Sequence, residues 1–134
     1  MDTKEVNLFI KKLILDGDLA AMIINRTIYG GKPVVNNEEL VDLNIPLIKK
    51  ALTALFSVEQ NFELIGKRFK NQIYLMFIAE SMDDIDPDIS LLYEQICYQT
   101  IHDIDDNDTF EKPNLYALQL LYGRKLNNNP HKYN

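Results

Sequence analysis

Residues 30–77 read GGKPVVNNEELVDLNIPLIKKALTALFSVEQNFELIGKRFKNQIYLMF, and the punctuation of this stretch decides the fold. Gly30-Gly31 closes the helix before it, because glycine accepts the left-handed backbone that helix ends commonly need. Pro33 holds the next piece extended, and Val34-Val35 is β-branched, so KPVV reads as a brief edge strand. Asn36, followed three residues later by Glu39, has the spacing of a capping box. It opens a short helix over 38–43 with Leu40 and Leu43 inward. Asn44 tolerates the left-handed conformation and turns the chain. Pro46 suits the first turn of a further helix running to about Val58. There Ile48, Ala51, Leu52 and Leu55 share one face, and Lys49, Lys50, Thr53 and Ser57 share the other. Phe62–Ile65 and Gln72–Ile78 are rich in β-branched and aromatic residues. GKRFKN between them, with Gly66 first and Asn71 last, reads as a hairpin loop with a basic tip. Residues 46–82 could instead run as one continuous helix, but Gly66 and the composition of QIYLMFI weigh against it.

Upstream, residues 3–15 place Val6, Phe9, Ile10, Leu13 and Ile14 at helical spacing. Asp16-Gly17-Asp18 is a turn, with Asp18 able to cap the next helix. Residues 19–29, LAAMIINRTIY, form that helix, apolar on several sides. Downstream, DDIDPD at 83–88 interrupts the pattern. A helix over 88–102 puts Ile89, Leu92, Tyr93 and Ile96 on one side. HDIDDNDTFEKP is a loop. Asn114 caps a last helix over 115–125 that is apolar nearly all round, through Leu115, Tyr116, Leu118, Leu120, Leu121 and Tyr122. Such a helix needs cover from the core or from a second subunit, so a homodimer through 115–125 is expected. The chain reads as a single domain, 1–134, with a core over 18–78, an acidic helical extension over 79–126 and a disordered tail over 127–134.

Apolar content of 46% and charged content of 25% are those of a globular chain. The net charge of −6 argues against a generic nucleic-acid binder. Its distribution matters more than its sum. Residues 45–78 carry Lys49, Lys50, Lys67, Arg68 and Lys70 against Glu59 and Glu63 only. Residues 79–111 carry eleven acids and no base. A locally basic hairpin therefore sits in an acidic chain.

GKPVVNNEEL as helix end, strand and second helix, LIKKALTAL as recognition helix, and FELIGKRFKNQIYLMF as strand, wing and strand together resemble the winged-helix superfamily. Within it the segment resembles particularly the N-terminal domains of phage replisome-organiser and DnaD-like replication proteins. The resemblance covers about a third of the chain and rests on pattern. It implies a mainly α fold: a winged helix-turn-helix core, a small β-hairpin wing, and N-terminal and C-terminal helices. It also implies duplex DNA as partner, with Lys49, Lys50, Thr53 and Ser57 facing the major groove and Lys67, Arg68 and Lys70 gripping phosphates. The chain departs from the pattern in a shorter turn before LIKKAL and in the acids Glu38, Glu39 and Asp42 on the second helix. The alternative is a winged-helix scaffold that binds a host protein through the acidic segment or the terminal helix, as small acidic phage inhibitors do.

Other chemistry has little support in the residues. Asp103-x-Asp105-x-Asn107 begins like a calcium loop, but its sixth position is Asp108 and its twelfth is Asn114. Asp84-x-Asp86-x-Asp88 fails in the same way, so no metal is expected. Cys97 lies between Ile96 and Tyr98 and reads as packing. His102 sits beside Asp103, where an ion pair suffices, and His131 is in the tail. No enzyme activity and no cofactor are expected. A lone cysteine, no apolar run long enough for a membrane span and no signal peptide point to a cytoplasmic protein. The abundance of Asn, Ile, Asp and Tyr fits AT-rich coding, as in a phage or other virus.

Overall fold

A computed structural model of the chain describes residues 2–46, 48–50, 62–79, 114–121 and 131–133. It has a mixed sheet with helices against it, not a mainly α fold. The first helix, α1 (Thr3–Asp16), starts where Asp2 caps it, accepting the Glu5 N–H at 2.8 Å. It stops at Gly17, and Asp18 takes a left-handed φ of 51°. The second helix, α2 (Ala20–Ile28), follows at once. Asp18 does not cap it. Asn37, far along the chain, reaches back instead: its Oδ1 accepts the Ala21 N–H at 3.0 Å and its Nδ2 donates to the Asp18 carbonyl. Gly30 and Gly31 end the helix as expected, at φ of 62° and 87°.

Val34-Val35 is not a strand; the Val34 N–H bonds back to the Lys32 carbonyl at 2.8 Å. The Asn25 amide takes the place of a strand partner: Oδ1 accepts the N–H groups of Val34 and Val35, and Nδ2 donates to the Val35 carbonyl at 2.8 Å. Half of the Asn36–Glu39 capping box forms: Asn36 Oδ1 accepts the Glu39 N–H at 3.0 Å, but the Glu39 carboxylate accepts from the Asn36 side-chain amide rather than its backbone N–H, and no helix follows. Six residues are too few to repay helix nucleation on their own. The chain makes a turn at 37–39 and enters β1 (Val41–Asp42). Asn44 is not left-handed either; its carbonyl accepts the Ile48 N–H at 3.2 Å and so opens a third helix, α3, described at residues 45, 46 and 48–50.

The hairpin is present, with longer strands than the composition suggests. It consists of β2 (Glu63–Phe69) and β3 (Gln72–Ala79), which rules out a continuous helix over 46–82. Only Lys70 and Asn71 lie between the strands, with Lys70 at φ 50°. Gly66 is therefore inside a strand rather than at the start of a loop. A Cβ there would stand 2.7 Å from Ile45 Cδ1 and 3.1 Å from Leu43 Cδ1, so glycine is what lets the segment leading into α3 close onto the sheet.

The largest correction lies at residues 115–125. This stretch, expected as a helix and a dimer interface, contains β4 (Asn114–Leu121), paired in parallel with β3 from Gln72↔Asn114 to Ala79↔Leu121. Leucine and alanine favour helix locally, but an all-round apolar run is also what a strand buried on both faces requires. Leu115, Ala117 and Leu118 are buried in the fold, so the argument for a dimer from an all-round apolar helix lapses. His131–Tyr133, placed above in a disordered tail, pairs with β4 as β5. The strand order is β1-β2-β3-β4-β5, with antiparallel pairs on either side of the parallel one.

Strand alternation divides the core. Ile65, Tyr74, Met76, Ile78 and Leu118 face α1 and α2, where they meet Ile14, Ala20, Ala21, Ile24 and Val35. The opposite face carries Leu64, Ile73, Leu75, Phe77, Leu115 and Ala117, all buried. Ile73 through Ala79 are each 0–2% exposed. A side chain of this size contributes about 1.5–3 kcal/mol on burial, so β3 is the spine of the fold. Among the described residues, no helix is long and apolar enough to cross a membrane. The expected helix over 88–102, the acidic segment from 80 onward, the calcium-like loops, Cys97 and His102 lie outside the described residues.

Candidate functional site

The expected DNA-reading face does not assemble as one surface among the described residues. Lys49 in α3 is half-buried: its Nζ lies 3.1 Å from Glu63 Oε2 and 5.2 Å from the centre of the Phe62 ring. Lys50, its neighbour, is exposed. Thr53 and Ser57 lie outside the described residues. Lys67 and Arg68 are not at the hairpin tip. They are consecutive residues of β2 and so point to opposite faces of the sheet. The β1–β2 register sets Asp42 against Lys67, and the two form an ion pair in which the lysine side chain is 15% exposed and the aspartate 81%. Arg68 is half-buried. Lys70 alone of the three occupies the turn, with its Nζ 5.1 Å from the Phe69 ring centre.

Affinity for a phosphate backbone comes from releasing the counterions that the phosphates hold. A lysine already paired with a carboxylate must first leave it, so Lys49 and Lys67 gain little by such an exchange. Asp42, placed by the sequence pattern on a second helix where it would repel phosphates, stands instead across a strand ladder and neutralises a wing lysine. Exposed pairs of this kind contribute at most about 1 kcal/mol to stability, so their main effect here is on the surface potential.

Two other features emerge only in three dimensions. Tyr29 at the end of α2, Tyr74 in β3 and Tyr116 in β4 form a cluster. The Tyr29 and Tyr74 hydroxyls are 2.7 Å apart, the Tyr74 and Tyr116 rings stack at 5.5 Å, and Tyr29 meets Tyr116 edge-on at 6.5 Å. Burial, and then the hydrogen bond to Tyr29, push the Tyr74 phenol well above its ordinary value of 10.0. Burial also raises Tyr29, against the lowering effect of the Tyr74 hydrogen bond. Phenols held neutral in this way pin the end of α2 to the sheet. Only the parallel register of β3 and β4 brings them together, and no local spacing announces that register.

The second feature is α1. Its inner face, through Asn7, Ile10 and Ile14, turns to the protein. Its outer face carries four large apolar side chains in water: Leu8, Phe9 at 55% exposure, Leu13 at 53% and Leu15. The sequence signal is partial: Leu8 and Leu15 fall off the apolar stripe of the helix, whereas Phe9 and Leu13 lie on it with Val6, Ile10 and Ile14. Met22, Val34 and Val41 are the other exposed large apolar residues described. Against protein-family models, curated proteins and solved structures alike, the chain has no match.

Proposed function

We propose that this chain works as a non-enzymatic interaction protein whose docking surface is the outer face of α1. The observation that carries the proposal is the set of exposed side chains Leu8, Phe9, Leu13 and Leu15 on one 14-residue helix. Scattered surface apolar residues are ordinary, but a concentration on one element marks a binding surface. The ion pairs Lys49–Glu63 and Lys67–Asp42 support the same view, since they spend two of the cations that DNA binding would need. A net charge of −6 points the same way.

Duplex DNA is the second reading, favoured by the exposure of Lys50 and Lys70. Two measurements separate them. Fluorescence anisotropy with mixed-sequence duplex at low salt is expected to show no binding. Binding that weakens with salt and disappears in the Lys50→Glu, Lys70→Glu variant would replace the proposal with the DNA reading. A photo-crosslinking amino acid substituted for Phe9 is expected to form protein–protein adducts, while the same substitution of Arg26 on α2 forms none. No adduct at position 9 would overturn the proposal.

A further inference from the structure

Within the exposed face of α1, Glu5, Leu8, Phe9 and Lys12 stand in a single stripe, at i, i+3, i+4 and i+7. All four are exposed, and neither Glu5 nor Lys12 has an ion-pair partner among the described residues. The stripe has apolar residues at its centre and opposite charges at its two ends. It is therefore complementary to itself when reversed.

We propose that the partner of this face is a second copy of the chain, packed through an antiparallel α1–α1 contact with a two-fold axis between Leu8 and Phe9. This rests on the reading of α1 as a docking surface and names its occupant. A two-fold contact presents the same patch from both sides, so each residue meets the partner of its mirror position. With the axis between residues 8 and 9, Glu5 of one copy faces Lys12 of the other, twice, and Leu8 faces Phe9, twice. The Lys4 stem lies over Leu13 of the other copy, its methylenes covering the leucine while its ammonium stays in water.

Charge selects this arrangement over its competitors. A parallel pair sets Glu5 against Glu5 and Lys12 against Lys12. An antiparallel pair displaced by one turn, with its axis between residues 10 and 11, sets Glu5 against Asp16. Displacement by a further turn removes Leu8 and Phe9 from the centre. One helix pair buries less than the roughly 1,200 Å² of a standard interface, which places the contact with the small, transient ones and calls for a test that reaches high concentration.

Light scattering or sedimentation equilibrium over about 1–500 µM provides that reach. The mass of the wild-type chain is expected to climb from 15.6 kDa toward twice that value as concentration rises. Glu5→Lys alone, or Lys12→Glu alone, is expected to weaken association about tenfold or more, and the two together to restore it to within about threefold. Phe9→Ser is expected to abolish it. Circular dichroism checks that each variant keeps its fold, which these exposed positions allow. A mass of 15.6 kDa at every concentration overturns the proposal, as does association indifferent to Phe9→Ser or a double exchange that fails to restore. A monomer whose position-9 crosslinker captures a different protein overturns self-pairing and leaves α1 as a docking surface. A monomer with no adduct at position 9 removes both.

Discussion

β3 and α1 are both rich in apolar residues, and they use them in opposite ways. Every side chain from Ile73 to Ala79 is buried, on both faces of the sheet. α1 buries Ile14 and half-buries Ile10, yet leaves Leu8, Phe9, Leu13 and Leu15 in water. Position in the sheet explains the first. β3 lies between β2 and β4, with α1 and α2 against one face. A helix on the outside of a sheet can bury only one side, and on α1 the opposite side mixes Leu8, Phe9, Leu13 and Leu15 with the charges of Glu5 and Lys12. Apolar residues on β3 therefore belong to the fold, and those on the outer face of α1 are left over for the partner proposed above. Mutations at the two places should separate along that line.

Met76→Ala removes a fully buried side chain at the centre of the helix-facing core and is expected to cost about 2–5 kcal/mol in urea denaturation. A cost below about 1 kcal/mol there would break the comparison from the β3 side. Gly66→Ala adds a Cβ where Ile45 Cδ1 already stands 2.7 Å away. The crowded groups are side-chain ends that can shift in part, so a loss of about 1.5 kcal/mol is expected, with a lowered midpoint at unchanged m-value.

Tyr74→Phe removes the hydroxyl that meets Tyr29 and is expected to cost about 1 kcal/mol at neutral pH. Its pH dependence is more telling. The folded protein holds Tyr74 above its ordinary value of 10.0. The stabilisation from keeping it neutral is therefore complete below about pH 10 and is lost as the pH rises toward the folded value. Unfolding free energy measured through that range is expected to fall more steeply for the wild type than for Tyr74→Phe. Parallel curves would mean that the phenol is not buried as described. The smallest expected effect is that of Phe9→Ser: a change in stability within about 0.5 kcal/mol, together with loss of association. A loss of 2 kcal/mol or more would make Phe9 a core residue and erase the contrast with β3.

What was legible in the sequence follows the same division between local and long-range causes. α1, α2, the glycine pair after α2 and the existence of the hairpin carry their signals within a few residues, and all four are present in the structure. The first error came from Asn36–Glu39, whose half-formed capping box serves a turn before an edge strand. The second came from Gly66, a breaker in most settings and here a point of close approach inside β2. The third, and the one that changes the fold class, came from LYALQLL. Its composition suits a buried helix and a buried central strand equally, and only the register with β3 decides between them. The basic hairpin tip was misplaced for a related reason. Lys67 and Arg68 looked like one basic tip because they are adjacent, whereas strand alternation separates them and β1 brings Asp42 to the first of them. The outer face of α1 was partly within reach of helical spacing, since Leu8 and Leu15 break its stripe, but exposure is a property of the assembled sheet.

The most direct test of the central claim is the concentration dependence of backbone amide NMR shifts. On concentrating the wild-type chain, movement is expected to centre on Glu5, Leu8, Phe9 and Lys12, while β3 stays fixed. Spectra that do not change with concentration, or changes that gather at the sheet edges Val41–Asp42 and His131–Tyr133 instead, would contradict it.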